Sequence, residues 1–323
     1  NPACGCEMPL VNSFWLSKRA GKEAYLEPIV EGGKIRFKVR RGKGNVREGT
    51  VGRTGATCIS CGASVPGKYV RDASKAGQMK AQMLAIVADL NPGRGYMPAD
   101  AFHIKTADAK KSTDYPEQEM NQDTPDLVSG RGYGITHWHQ LFTNRQLTAL
   151  TTFSALINDV QKQVVADGGT KEYSEAIATY LAFVVDKLAD RSSTICGWDS
   201  GRDGVRNTFG RQAIPMVWDY AEANPFSHSS GCFDNMLDWV EKSVRELPSG
   251  IMGQVIQHSA SARNDLHQVM VSTDPPYYDN IGYANLSDYF YLWMRKVLRD
   301  IEPKLFSTLQ TPKQQELVAE PNR

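Results

Sequence analysis

The strongest periodic signal lies mid-chain. Leu147, Leu150, Phe153, Ile157 and Val160 recur at three- and four-residue intervals over 144–165. Tyr173, Ile177, Leu181, Val184 and Leu188 do the same over 171–189. This period gathers each set on one helical face, so two amphipathic core helices are predicted. Shorter helical patterns cover 74–87 (Met79, Met83, Ile86, Val87), 238–247 and 287–299. In the last, Tyr289, Leu292, Trp293 and Lys296 are spaced to cover a sheet. Over 33–41 the period falls to two: Ile35, Phe37 and Val39 alternate with Lys34, Arg36, Lys38 and Arg40, predicting a half-buried strand. Residues 253–260 read as a strand ending at small polar residues, and 269–271 as a short buried strand. Residues 104–134, rich in Asp, Lys, Ser, Thr, Gly and Pro, read as a linker. Residues 207–226 predict a polar turn, an aromatic-rich helix and a stop at Asn224-Pro225.

Three smaller features take plainer readings. Asp89-Leu90-Asn91-Pro92 is expected to end a helix, not to follow a strand as a ribose-holding acid. His137-Trp138-His139 would set both imidazoles on one side of a strand, but no third ligand stands near, so a surface pair is expected. Arg211 and Gln212 are expected to brace a loop.

Length and composition narrow the class. At 323 residues, 41% hydrophobic and 23% charged, the chain has room for one large or two ordinary globular domains. It holds no apolar run long enough for a membrane span and no signal peptide, so a cytoplasmic protein without a membrane partner is expected. Formal net charge is +1, but residues 1–71 hold 13 Lys+Arg against 5 acids, a local excess of +8. The four-cation stripe Lys34, Arg36, Lys38 and Arg40 could lie along a DNA phosphate backbone, or be a solvated strand face.

Six cysteines are too few for a disulfide scaffold at this length. Cys4-Gly-Cys6 and Cys58-Ile-Ser-Cys61-Gly62 form two close pairs, the grouping that a tetrahedral structural zinc requires of thiolates. The Cys-x-x-Cys-Gly half is the stronger knuckle, because a one-residue spacer is unusual. Zinc bound by Cys4, Cys6, Cys58 and Cys61 is therefore the expectation, with free buried thiols as the alternative.

The stretch 269–280 reads Val-Met-Val-Ser-Thr-Asp-Pro-Pro-Tyr-Tyr-Asp-Asn. Proline cannot continue a ladder and drives the residue before it to extended geometry. Asp274-Pro275-Pro276-Tyr277 is thus a stiff loop expected at a strand's carboxyl end, where open α/β sheets bind ligands. A carboxylate and a carbonyl can accept the hydrogens of an exocyclic amine, and an aromatic ring can stack on its base.

Asp-Pro-Pro-Tyr, followed by Gly282-Tyr283-Ala284-Asn285-Leu286-Ser287-Asp288-Tyr289-Phe290-Tyr291-Leu292-Trp293, resembles the large prokaryotic adenine-specific DNA methylases that carry an inserted zinc ribbon. The segment 207–226 and the run 312–319 resemble the same family. The resemblance implies S-adenosylmethionine as cofactor beside zinc, and DNA as partner with restriction-modification or phage-defence subunits. It implies an α/β fold: part of a Rossmann-like methyltransferase sheet, an N-terminal zinc-ribbon β insertion and a helical middle region. The expected division is 1–71 ribbon, 72–134 helix plus polar linker, and 135–323 helical region with the catalytic part. Asp274 and the Pro275 carbonyl would hold the adenine N6 hydrogens. Pro276 would stiffen the loop, Tyr277 would stack, and Tyr278, Asp279 and Asn280 would shape the pocket lip. Ser259 stands where the family has an acid near the cofactor adenine, a departure that weakens that contact. The family's glycine-rich cofactor loop has no counterpart in these residues. In relatives a further cysteine precedes Asn-Pro-Ala-Cys-Gly, which would make Cys6 a bystander. The chain is thus expected to be an internal piece of a longer enzyme, inactive alone. Two rivals stand: an RNA or cytosine-N4 amino-methyltransferase, and a zinc-dependent DNA-binding module without catalysis. Asp at 274 favours adenine.

Overall fold

The computed structural model describes the chain apart from residues 91–92, 122–127, 249, 251–252, 254, 257, 260–261, 263–266, 279–280, 315 and 317–323. The period-two stretch forms a hairpin: β2 (Ala24–Glu31) pairs antiparallel with β3 (Lys34–Arg41) along its whole length. Its turn, Gly32-Gly33, has φ of 56° and 80°, the left-handed pair that a two-residue hairpin turn of matching twist demands. β1 (Trp15–Ser17) lies on the other edge of β2. Ile35 and Leu26 turn inward to join Cys6, Val11, Phe14 and Ile59 in a small core, as the alternation predicts. A second three-stranded sheet follows, from β4 (Val51–Gly52), β5 (Gly55–Thr57) and β6 (Ser64–Pro66), and leads into α1 (Gly67–Lys75).

The helix expected over 74–87 is not formed. α1 ends at Lys75, and Gly77 at φ 72° donates back to the Ser74 carbonyl at 2.9 Å, a glycine stop. Residues 85–89 instead make β7 (Ala85–Asp89), paired antiparallel with β8 (Arg94–Pro98). Asp89 therefore ends a hairpin strand, not a helix. Pairing to β8 outweighed a helical spacing that two β-branched residues, Ile86 and Val87, supported only weakly. Inside the expected linker, α2 (Ala101–Ala107) starts at Asp100, whose carboxylate accepts the His103 amide.

The two long helices stand where their periods put them. α3 (Asn144–Ala166) opens on a capping box: Thr143 accepts from the Gln146 amide, and Gln146 reaches back to the Thr143 amide. α4 (Lys171–Ala189) is capped by Thr170. With α5 (Phe233–Glu246) and α6 (Tyr283–Leu298) they enclose the main core, which includes Trp138, Leu141, Leu150, Leu188, Ile214 and Trp293. α6 was expected to cover a sheet, but it buries Tyr289, Leu292 and Trp293 in this helical core. The Tyr289 hydroxyl donates to the Ala189 carbonyl at 2.7 Å, and Phe142 stacks on its ring. Lys296 pairs with Asp114.

No helix forms within 207–226. Pro215 disfavours helical geometry at Ile214, which instead bridges Val128 and is fully buried. His137-Trp138-His139 is not a strand either: Trp138–Leu141 is a 3-10 turn that drives Trp138 into the core. The two imidazoles lie 5.5 Å apart, and burial lowers the His139 pKa. Among the described residues the fold is mixed α/β, with six α-helices and four small antiparallel sheets. No helix among them is long and apolar enough to cross a membrane.

Candidate metal centre and catalytic loop

Two turns bring three thiols together. Near the chain start the Gly5 amide donates to the Asn1 carbonyl at 2.9 Å, with Gly5 at φ 68°, and Cys4 lies on the outside of that turn. After β5, the Gly62 amide donates to the Cys58 carbonyl at 3.0 Å, with Gly62 at φ 74°. The positive φ explains the glycine after the second knuckle cysteine. The Sγ atoms of Cys4, Cys58 and Cys61 all lie within 4.8 Å of one another. Cys4 Sγ and Cys58 Sγ are 3.8 Å apart, far beyond a disulfide bond. A zinc ion with bonds of about 2.3 Å in tetrahedral geometry separates its sulfurs by about 3.8 Å, so these three thiols could hold a metal ion and would supply three of the four ligands of a tetrahedral zinc.

Electrostatics agree. Burial alone would push the Cys58 thiol up, but the backbone amides of Cys61 and Ser60, with the Asn1 side chain and Cys4, bring it down to about 6. At Cys4 the Cys6 amide pulls down, but desolvation and the Cys61 and Cys58 sulfurs prevail, and its pKa is raised. The two sulfurs are thus shifted in opposite directions, and the lowered Cys58 favours the thiolate that a metal ligand must be.

Cys6 does not join the cluster. It is buried in the small core beside the first hairpin and its thiol donates to the Gly33 carbonyl at 3.0 Å. The close spacing of Cys4 and Cys6 made them look like a pair, but the turn at Gly5 sends their side chains apart.

Asp274, Pro275, Tyr277 and Tyr278 are exposed, Pro276 half-buried. The buried strand expected ahead of them is not formed: Val269, Met270 and Val271 are irregular and 56%, 97% and 61% exposed. A strand needs neighbours for its amides and carbonyls, and among the described residues none lies beside this run. Of the strand expected over 253–260, the described residues Gly253, Val255, Ile256, His258 and Ser259 are exposed and irregular, and 254, 257 and 260 lie outside the described residues. Asp279 and Asn280 lie outside the described residues, as does part of 312–319.

The cationic stripe of β3 faces outward and is partly neutralised. Arg40 meets Glu27 at 2.7 Å and Arg36 meets Glu31 at 3.7 Å. Lys34 and Lys38 are in no ion pair among the described residues. Arg211 and Gln212 are exposed, with no side-chain hydrogen bond among the described residues, so they brace nothing there.

Compared with family models, curated proteins and solved structures, the chain matches none. Its function is therefore argued from its own residues.

Sequence reasoning missed Asp219. Its carboxylate accepts the Asn12 and Ser13 backbone amides at 3.1 and 3.2 Å and the Asn12 side chain at 2.6 Å. It missed Glu222 too, which takes the Arg145 guanidinium through two bonds, at 2.6 and 2.8 Å. Neither pairing leaves a local pattern, because each partner lies at least 77 residues away.

Proposed function

We propose that this protein works in S-adenosylmethionine-dependent methylation of DNA at adenine N6, with the zinc-binding β region as part of its DNA-facing half. The observation that carries the reading is the tetrapeptide Asp274-Pro275-Pro276-Tyr277, exposed just ahead of α6. A base extruded from a duplex would find there two acceptors for its amine hydrogens, the Asp274 carboxylate and the Pro275 carbonyl. Holding both hydrogens aims the nitrogen lone pair away from them, and Tyr277 offers a ring worth about 1–3 kcal/mol of stacking. These groups position and polarise the acceptor; they need not remove a proton before attack.

S-adenosylmethionine would supply the methyl group. The described residues do not fit as its cradle: Ser259 is exposed outside any strand, and no parallel sheet stands among them. A Rossmann-like sheet containing 253–260 and 269–271 belongs to the same proposal, formed when further strands lie alongside. Zinc held by Cys4, Cys58 and Cys61 would tie the first turn to the second knuckle. Restriction-modification or phage-defence subunits would be its partners, and the cytoplasm its compartment.

The deciding experiment measures transfer of labelled methyl from S-adenosylmethionine to DNA by the full-length gene product, wild type beside Asp274→Ala. Label on adenine N6 that falls at least a hundredfold in the variant is the expected result. A folded, cofactor-binding wild type that methylates RNA or cytosine instead would replace the acceptor. Absence of cofactor binding would leave a zinc-bearing DNA-binding module, a reading favoured by the excess of cations in residues 1–71.

A further inference from the structure

A cavity of about 1300 Å³ opens where the ends of β2 and β3, the β7–β8 hairpin and the segment after α4 meet. Lys22 and Arg41 line it from the first hairpin, Arg94 from the start of β8, and Arg191, Arg202 and Arg206 from the far side. With Arg19 these are seven cations against four acids, Glu23, Asp89, Asp199 and Asp203, a net +3.

Of the two inner acids, Asp199 is engaged, while Asp203 keeps one buried carboxylate oxygen without a hydrogen bond among the described residues. Asp203, 5% exposed, lies 3.6 Å from the Arg19 guanidinium, and its carbonyl accepts from Arg94. Asp199 accepts the amides of Gly201 and Arg202 at 3.0 and 3.3 Å and lies 3.6 Å from Arg206. Arg191 is fixed by the Val205 carbonyl at 2.8 Å. Two guanidinium groups, Arg94 and Arg191, are therefore held by hydrogen bonds around the opening, with Arg19 and Arg206 in looser ion pairs at its edge. The side chains of Lys22, Arg41 and Arg202 form no hydrogen bond or ion pair among the described residues and are exposed.

Small-molecule sites are mostly apolar, with a few polar groups, and span about 300–1,000 Å³. This cavity is larger and lined by charge from three separate segments. Fixed guanidinium groups bordered by free cations suit a chain of phosphates, whose counterions they would displace. We propose that this cavity, rather than the outer face of β3, holds the phosphodiester backbone of DNA. It rests on the methyltransferase reading for the choice of DNA; the site itself stands on charge and geometry.

The test is fluorescence anisotropy of a labelled DNA duplex with the zinc-loaded 323-residue chain at several salt concentrations. Arg41→Gln with Arg202→Gln is expected to weaken binding on the order of tenfold and to lower the slope of log K against log salt by about 2. Arg36→Gln with Lys38→Gln, on the outer face of β3, is expected to change neither beyond twofold. Unchanged affinity and slope in a folded cavity variant overturns the proposal, as does a loss confined to the β3 variant. Tighter binding of single-stranded RNA than of DNA overturns the choice of ligand. Should the double variant not fold, Lys22→Gln carries the same test with about one unit of slope. Methyl transfer by the full-length gene product together with unaffected DNA binding in the cavity variants removes the cavity and keeps the enzyme; no transfer by that product together with weakened binding in the cavity variants keeps the cavity and removes the enzyme.

Discussion

Asp219 holds Asn12 at both ends: its carboxylate accepts the Asn12 backbone amide at 3.1 Å and the Asn12 side-chain amide at 2.6 Å. The Ser13 amide adds a third bond to the same carboxylate, at 3.2 Å. Nearby, the Trp198 indole donates to the Leu16 carbonyl at 2.6 Å and the Lys18 amide to the Ser200 carbonyl at 2.7 Å. These bonds dock the β1 region on the segment that follows α4, and so set the wall of the basic cavity.

Asp219→Ala is expected to cost about 1 kcal/mol, the lower end for bonds to a charged acceptor because the pair is solvent-accessible. Asp219→Asn keeps an acceptor oxygen and should lose less. Urea midpoints at an unchanged m-value measure the difference. Equal stability of Asp219→Ala and wild type would show that the carboxylate is dispensable to docking.

Metal content separates the cysteines. The chain as isolated is expected to carry zinc, measured by elemental analysis, and Cys58→Ser or Cys61→Ser to lose it. Cys6→Ser should retain zinc, because Cys6 faces Gly33 in the core. Loss of zinc on Cys6→Ser in a folded chain would mean that the thiol rotates into the cluster. Chelation should lower the melting temperature of wild type and leave that of Cys58→Ser unchanged.

The thiol pair also sets a pH dependence in the metal-free chain. Cys58 is depressed to about 6 from an ordinary 9.0, so the folded state releases this proton before the unfolded state does. Its contribution is then fully present above about 9 and is lost as pH falls through about 6. Cys4, raised, acts in the opposite sense, but only at and above the ordinary thiol range. Stability is therefore expected to rise from pH 6 to 9, and Cys58→Ser to flatten that rise. A melting temperature that falls over this interval, in wild type but not in the variant, would contradict the depressed thiol.

Asp288 on α6 is fully buried and accepts three bonds from one incoming segment. Thr311 gives its amide at 2.8 Å and its hydroxyl at 2.7 Å, and Lys313 its ammonium at 2.7 Å. Lys313→Met would strand a buried carboxylate, at a cost of about 3–5 kcal/mol. Adding Asp288→Asn should recover part of it, since the charge is then gone. Denaturation of the single and double variants tests the coupling, and additive losses would refute it.

How much was legible depended on whether a residue's partner was close in sequence. The period of α4 is local, and the helix runs over the very residues the pattern marked. β3 was equally plain, because alternation needs only its neighbours. The same spacing logic failed over 74–87: Gly77 ended the helix, and the pairing partner of 85–89 came later, at Arg94–Pro98. It failed again at 269–271, where apolar residues are necessary for a buried strand but do not supply the strand beside it.

The sequence by itself determined the two long helices, the β3 strand, the Cys58-Cys61 knuckle and the presence of the Asp-Pro-Pro-Tyr loop. Each is a property of consecutive residues, fixed by side-chain period, proline geometry or a glycine's freedom. The tertiary structure alone decided that Cys4 and not Cys6 meets the knuckle, that Asp219 holds Asn12, and that cations from three distant segments line one cavity. Those relationships depend on which surfaces become neighbours after chain collapse. Burial and long-range hydrogen bonding set that choice, and neither is written in any short stretch of residues.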